Sequence, residues 1–598
     1  VFDTGVFPRP ADLRGRRLLT GGVFVDVDND GRTEVVFVHR EPRAEHLDLP
    51  LVWALVGDTL APHQGWQLPR GIFPTVLTDL DGDGRLDVLG MRPGPLRPGQ
   101  SAAEVAGPIA VLYGAANEDF EEVRAIREPS ASDPSFQMES AALADLDADG
   151  WLDLLVADNG CCARCRALHP LLRTGTRSYH DRTELLRGDL RGGAYTALAA
   201  PLFGDTQVLG AIGRLCGDSQ HAFFRAVRSE PDGDWHYEGF DPTPHDALFR
   251  RENLGLSCPT IGCRAPMAAA WGDFDGDQRF DVVIPFDPLH GFFRGTAAPP
   301  WHDLSHRMPF RLTMGPRRPM LAWGTLVVDF DRDGHDDLIM AHGDDDSSAY
   351  DPSRAIGPQR VTAWRSTPTL HFTDWTAATR LSRPGQWRSI AAGDLDDDGD
   401  PDLIVGGFGE APRVYRNEVA NGQRQLSLRL RGTISNPLGL GARVETWLAR
   451  EGPPVVRLVG NYATPVHAVE PVVFVGLGTL DRAPRIRVTW PSGIVQELTD
   501  LPADRAHVLT EPLGFAIDPP TRHAPADGRS QVVLRVTPPA GARVTAHLRG
   551  PGALSLSQEG EHHVVRVTAP PTPGQATITL AVDGTPLRVR PRLWWDAL

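Results

Sequence analysis

Six times along this 598-residue chain, acidic side chains occupy positions 1, 3, 5 and 9 of a nine-residue window. The windows read DVDNDGRTE from Asp26, DLDGDGRLD from Asp79, DLDADGWLD from Asp145, DFDGDQRFD from Asp273, DFDRDGHDD from Asp329 and DLDDDGDPD from Asp394. Carboxylates this close repel one another unless a cation sits among them. Glycine at position 6 permits a sharp reversal that turns the oxygens toward one centre, where the carbonyl at position 7 can join them. Hard oxygen ligands in that number suit Ca²⁺, whereas Mg²⁺ keeps more water and fewer protein ligands. An EF-hand loop would need a bidentate Glu at position 12 between two helices. Position 12 here is Phe37, Gly90, Val156, Ile284, Met340 or Val405, within or at the end of a strand-like run, so that alternative fails.

The elements that must hold these windows follow from their flanks. Small-residue runs precede them (AALA, AAAW, SIAAG) and β-rich runs follow (EVVFV, DVVIP, DLIVG). Runs that short, bounded by turn chemistry, read as strands. The windows start 53, 66, 128, 56 and 65 residues apart, and the long interval is close to two periods. It implies a seventh, degenerate copy near residue 205, where TALAAPLFGDTQVLGAI keeps the apolar flanks but loses the acids. Seven repeats of several strands each predict propeller blades, with the small-residue strands innermost.

The pattern resembles the FG-GAP/VCBS repeats of integrin-α-like β-propellers, and the resemblance covers about residues 1–420. It implies calcium ligands Asp26, Asp28, Asp30, the Arg32 carbonyl and Glu34 in the first window, and Asp79, Asp81, Asp83, the Arg85 carbonyl and Asp87 in the second. The third would use Asp145, Asp147, Asp149, the Trp151 carbonyl and Asp153. The fifth repeat would use Asp273, Asp275, Asp277, the Arg279 carbonyl and Asp281, with Gln278 in place of the turn glycine putting its geometry in question. The sixth would use Asp329, Asp331, Asp333, the His335 carbonyl and Asp337, and the seventh Asp394, Asp396, Asp398, the Asp400 carbonyl and Asp402. About six structural Ca²⁺ are expected; they would bring the formal charge of −17 to −5. At ten times its dissociation constant each ion contributes about 1.4 kcal/mol. Extracellular modules bind calcium at ~10⁻⁴ to 10⁻³ M, which places the protein outside the cytosol: secreted, at the cell surface or periplasmic.

Past residue 420 the pattern changes to short alternating strands. SNPLGLGARV and VTWPSG closely resemble the ASPIC/UnbV domain, which commonly follows such propellers in secreted proteins of the cartilage-acidic-protein type. Its positions here are Asn436, Gly439, Gly441, Ala442, Gly476, Gly478, Trp490, Pro491 and Gly493, with Asn461-Tyr462 where Gly-Tyr is usual. Residues 514–598 alternate as a β-sandwich does and resemble a bacterial immunoglobulin-like module. Its LWWDAL end, with Trp594 and Trp595, is expected to dock on another domain of the chain or on a partner. The expected organisation is all-β: a propeller over 1–420, a small β domain over 421–513 and a sandwich over 514–598.

Composition narrows the function. All sixty Lys and Arg residues are arginine, so chemistry that needs a lysine is excluded, and an acidic chain lacks the basic footprint of a nucleic-acid binder. No run of eighteen apolar residues is present, so no membrane span is expected, and any export signal is expected to have been removed. Six cysteines, Cys161, Cys162, Cys165, Cys216, Cys258 and Cys263, flank the degenerate repeat. They are expected as disulfides that replace the missing ion as staples. A copper or zinc site formed with His169 is the alternative. Hydrolase, zinc-helix, phosphate-loop and dinucleotide motifs are missing where their context would require them. The face away from the windows would carry Asp158, His290, His342, Asp344 and Glu410, either as a polar rim or as a ligand-binding centre. The leading expectation is a binding or structural protein that engages another protein, a glycan or a surface polymer. The alternatives are an extracellular enzyme, polysaccharide-active or metal-dependent and oxidative, and a subunit of a larger assembly.

Overall fold

The computed structural model describes residues 2–5, 19–28, 32–40, 52–56, 59–63, 72–91, 109–115, 120–121, 125–127, 138–158, 166–188, 193–212, 221–228, 235–240, 268–285, 290–310, 320–343, 357–407, 410, 412–419, 422–460 and 471–597. The protein is all-β; the described residues hold strands and short 3₁₀ turns. No helix among them is long and apolar enough to cross a membrane.

Among the described residues seven sheets follow one another along the chain, each built on antiparallel hairpins; in sheet 4 a short strand ahead of the hairpins, Leu186–Arg187, adds parallel to Trp235–Phe240. Sheet 1 starts with Leu19–Val25 and Glu34–Arg40, sheet 2 with Phe73–Thr78 and Asp87–Met91, and sheet 3 with Met138–Ala144 and Asp153–Asp158. Sheet 4 starts with Thr196–Phe203 and Thr206–Ile212, sheet 5 with Ala270–Gly272 and Asp281–Ile284, sheet 6 with Ala322–Val328 and Asp337–His342, and sheet 7 with Trp387–Gly393 and Asp402–Gly407. The outer strand of sheet 7 comes from the other end of the chain: Phe2–Gly5 pairs antiparallel with Arg413–Asn417. Each sheet shares a buried apolar cluster with the next. The seventh shares one with the first, through Phe24 and Phe37 against Leu395 and Ile404. The arrangement is propeller-like.

The small residues before the acidic windows have a steric cause. A Cβ on Gly393 would lie 2.3 Å from Phe24 of sheet 1, and one on Gly272 would lie 2.6 Å from Val327 of sheet 6. First strands of neighbouring sheets crowd together, and only small side chains fit between them. Sheet 4 shows what the degenerate repeat does. Its first two strands join through a two-residue turn, Gly204-Asp205, with Gly204 at φ +61° as tight hairpin turns favour.

Two further units complete the chain. Strands Arg424–Arg431, Val472–Gly478 and Ala506–Thr510 form one sheet, and Arg443–Trp447, Val455–Leu458, Arg482–Thr489 and Val495–Pro502 another, around a shared core with Trp490 at its centre. From Gly514 onward two more sheets enclose Val532, Val565, Ile578 and Leu593. Neither unit stands apart from the ring. Val472 and Phe474 enter the core between sheets 6 and 7, and Val456 and Leu458 that between sheets 4 and 5.

Candidate metal centres

Every acidic window is the loop of the first hairpin of its sheet, and position 9 is always the first residue of the second strand. That register gives the position-9 carboxylate a fixed task. One of its oxygens accepts the N–H of position 2: Leu80 to Asp87 at 2.7 Å, Leu146 to Asp153 at 2.8 Å, Phe274 to Asp281 and Phe330 to Asp337 at 3.1 Å, and Leu395 to Asp402 at 3.0 Å. The other accepts an N–H at the end of the third strand: Gly114, Arg173, Gly295, Ser366 and Asn417, all within 3.0 Å. Val27 N–H reaches Glu34 of sheet 1 in the same way, at 2.9 Å. Position 9 therefore ties the loop to two strands.

Positions 1 and 5 shape the turn. The N–H of position 6 bonds the position-1 carboxylate in sheets 2, 3, 5, 6 and 7, at 2.7–3.1 Å. The N–H of position 7 bonds the position-5 carboxylate, at 2.9–3.0 Å. Among the described residues position 6 is left-handed, at φ +84° in Gly84, +89° in Gly150, +92° in Gly334 and +91° in Gly399. Gln278 adopts φ +69° and donates its N–H to Asp273 like the glycines, so the fifth window keeps the common geometry despite its side chain.

These bonds leave carboxylate oxygens over. Oδ1 of Asp147, Asp273, Asp394 and Asp396 is buried with no hydrogen-bond partner. The carboxylates of Asp26, Asp28 and Glu34, of Asp79, Asp81 and Asp87, and of Asp145, Asp147 and Asp153 each offer oxygens within 4.8 Å of one another; so do those of Asp273, Asp275 and Asp277, and of Asp329, Asp331 and Asp333. Buried anionic oxygens that converge without donors are what a hard divalent cation satisfies. Burial also shifts the protonation of these groups. Burial, followed by like-charge neighbours, pushes Asp147 and Asp273 up to about 7, and burial raises Asp87 and Asp394 to about the same value. Asp153, Asp281, Asp337 and Asp402 are raised well above the usual range by burial. Asp30 lies outside the described residues, whereas Arg32, Arg85, Trp151, Arg279, His335 and Asp400 hold position 7 of their loops.

Arginines, which the sequence reading passed over, stand beside these loops. Arg294 reaches Asp275 (2.5 Å) and Asp277 (3.0 Å), Arg365 reaches Asp331 (2.5 Å) and Asp333 (3.2 Å), and Arg416 reaches Asp396 (3.5 Å). Their signal was present: the third strands of sheets 5, 6 and 7 carry FFR, AWR and VYR at one register.

The two C-terminal units sit on the window side of the ring. Ser427 Oγ donates to Asp394 (3.0 Å), Arg457 pairs with Asp336 (3.1 Å), and Gly478 N–H bonds Arg332 O (3.0 Å). Trp594 stacks on Trp151, with centroids 5.5 Å apart, and Trp595 is buried, so the tryptophan end docks within the chain. Over sheet 4, which has no window, a cavity of about 480 Å³ remains between the ring and both units, with Pro201, Tyr237, Leu440, Arg443, Leu587 and Arg588 among its walls.

The residues expected at the opposite end are placed differently from a solvent-lined rim. Asp158, His290 and His342 are buried. His290 and His342 face each other with ring centroids 5.9 Å apart, and His342 Nε2 lies 2.9 Å from Thr362 Oγ1. Burial, with His290 and Arg360 nearby, holds His342 well below the usual histidine range. Asp158 instead meets His169 (3.6 Å), whose other ring nitrogen lies 3.3 Å from Asp181. Glu410 is half-buried, and Asp344 lies outside the described residues, as do Cys161, Cys162, Cys165, Cys216, Cys258, Cys263 and Asn461-Tyr462. In the middle unit, Asn436 closes a turn on Leu440, and Gly439 (φ +62°) and Gly441 (φ +88°) follow it. Glu511, unremarked in the sequence, gathers the N–H groups of Thr433, Ile434 and Ser435 and the hydroxyls of Ser435 and Ser492.

Comparison with known proteins matches two family models. The FG-GAP-like repeat matches residues 79–156 and 329–405, and the ASPIC and UnbV model matches residues 432–514. A search of curated proteins finds no match. Among solved structures the chain is similar to Trypanosoma rangeli sialidase in complex with 2,3-difluorosialic acid, at 11% identity over 90% of this chain and 89% of that one, with a TM-score of 0.33. It is also similar to an exo-β-1,3-galactanase from Phanerochaete chrysosporium, at 9% identity over 62% and 92% with a TM-score of 0.23, and to the D00-D0 domain of Intimin, at 13% over 35% and 99% with a TM-score of 0.14.

Proposed function

We propose that this chain is an extracellular, calcium-stabilised binding or structural protein. In this reading a seven-bladed propeller carries a cation in each of six blades, followed by an ASPIC/UnbV-like β unit and an immunoglobulin-like sandwich. The observation that carries it is the repetition of one loop geometry, in which position 9 braces the strands and buried carboxylate oxygens remain without donors. Asp145, Asp147 and Asp153 and their counterparts would hold the ion, whose contribution is charge neutralisation and loop rigidity. A protein, glycan or surface polymer is the partner class. Because the C-terminal units lie over the window side, the partner would meet the other end of the ring or the outer sheet edges. Thermal melting of the intact chain tests the reading: addition of a calcium chelator lowers Tm by ten degrees or more, on the order of what several weak ions supply together, and excess Ca²⁺, but not Mg²⁺, restores it. Melting that is indifferent to chelator would contradict it.

A further inference from the structure

In sheets 5, 6 and 7 an arginine stands one residue before the N–H that caps the position-9 carboxylate, and it reaches the carboxylate at position 3 of its own window: Arg294 to Asp275, Arg365 to Asp331, Arg416 to Asp396. Sheet 2 has Tyr113 at this register and takes Arg177 of the neighbouring sheet on Asp81 instead, and sheet 3 departs further. Its capping N–H belongs to Arg173, so the register falls on Leu172, buried in the core shared with sheet 4. The guanidinium of Arg173 bonds instead to the carbonyls of Leu80, Asp81, Gly175 and Thr176. Asp147 nevertheless has its arginine. Arg592 Nη1, from the last strand of the C-terminal unit, lies 2.8 Å from Asp147 Oδ2, and Arg522 Nη1 lies 2.8 Å from the Asp149 carbonyl and 3.5 Å from its carboxylate.

We propose that the third window is a composite cation site, completed by Arg592 and Arg522 of the C-terminal unit, so that cation binding there and docking of that unit are one coupled equilibrium. This rests on the reading that the windows hold Ca²⁺. Two observations support it beyond the acidic cluster. Asp147 is 6% exposed, and with Oδ2 held by Arg592 its Oδ1 stays buried without a hydrogen-bond partner. With the four carboxylates ionised, the charges also balance when every part is present. Asp145, Asp147, Asp149 and Asp153 carry four negative charges beneath the docked unit, the two arginines supply two positive charges, and a divalent ion supplies the remaining two. The arginines hold the carboxylates from outside and turn the free oxygens inward, as outer-shell partners of metal ligands do.

The interface is continuous with the loop. Arg590 N–H bonds the Ala148 carbonyl (2.7 Å), the Arg522 guanidinium lies 3.9 Å from the Trp151 ring centroid, and Trp594 stacks on that ring at 6°. A loop reshaped by loss of its ion withdraws these partners together. By reciprocity, whatever loosens the unit weakens the ion by the same factor.

The test uses the full chain and calcium alone. Native mass spectrometry counts ions across a calcium titration, and small-angle scattering reads docking as the radius of gyration. The double variant Arg522→Gln/Arg592→Gln is expected to weaken one ion of the set by about tenfold or more and to expand at calcium levels where the parent stays compact. Asp147→Asn is expected to expand likewise with both arginines intact. Arg365→Gln, which touches only the sixth window, is expected to leave docking unchanged. Full ion binding and unchanged docking in both the double variant and Asp147→Asn would overturn the composite site while leaving the calcium reading standing. A parent chain that binds no calcium at any window would overturn that reading itself.

Discussion

The second and third windows are nearly the same sequence, DLDGDGRLD and DLDADGWLD, and they live in opposite surroundings. In the second, Gly82, Asp83, Gly84 and Arg85 are exposed, and its cationic partners are Arg85 on Asp83 (3.0 Å) and Arg177, from the outer hairpin of sheet 3, on Asp81 (2.7 Å). In the third, Asp147, Asp149, Gly150, Trp151 and Asp153 are buried beneath a unit whose arginines come from the far end of the chain. One loop closes a hairpin and the other anchors an interface. One pattern serves both because the bonds from position 6 to 1, from 7 to 5 and from 2 to 9 are shared, and what lies over positions 3 to 7 differs.

The largest effect is expected where the two loops are alike. Asp153→Ala leaves the N–H groups of Leu146 and Arg173 without acceptors inside the protein, and should cost about 3–5 kcal/mol in urea unfolding. Asp83→Ala, at the exposed loop, should cost under about 1 kcal/mol when measured in chelator. Equal losses would break the distinction between brace and ligand.

The next effect is pH dependence without the cation. The folded pKa values of Asp87, Asp147, Asp273 and Asp394 are raised to about 7, above the ~3.9 of an unfolded aspartate. The folded state then binds more protons than the unfolded state between those values. The stability these groups contribute is fully present below about pH 4, is lost as pH rises toward 7, and levels beyond it. In chelator, Tm should therefore fall from pH 5 to pH 7. In saturating calcium the fall should vanish, because the ion takes the place of the protons. A chelated protein that grows more stable over that interval would contradict the burial of these groups.

Smaller effects separate the two surroundings. Gly82→Ala, at φ +82° with open space around it, should cost about 1 kcal/mol from backbone strain alone. Gly150→Ala carries the same strain at φ +89° and also drives its Cβ to 2.5 Å from the Ile434 carbonyl, so it should cost about 3 kcal/mol. Smallest is Gln278→Gly, which relieves a left-handed non-glycine residue and should stabilise by about 0.5–1 kcal/mol in thermal melting. A loss of stability there would mean that the Gln278 side chain has a task of its own.

What the sequence made legible was local. Acids at 1, 3, 5 and 9 with glycine at 6 form a motif within nine residues, and the doubled interval around residue 205 pointed to the sheet whose Gly204-Asp205 turn replaces a window. Gln278 put the geometry of its loop in question, yet the backbone N–H that matters is present in any residue but proline. What stayed hidden was long-range. Nothing near Phe2–Gly5 says that it pairs with Arg413–Asn417, and nothing in the third window says that Arg592 lies above it. The absence of arginine at Leu172 becomes informative only once the registers of the third strands are aligned. Asp158, His290 and His342 were expected on the face away from the windows, as a polar rim or a ligand-binding centre, because they follow the second strands; that position does not reveal that their side chains are buried.

The most direct test of the whole account is the calcium content of the full chain, by elemental analysis after equilibration in low-millimolar Ca²⁺. The account predicts about six ions per chain, one for each acidic window. Fewer than one ion per chain would contradict it, and would leave the convergent carboxylates to protons and arginines alone.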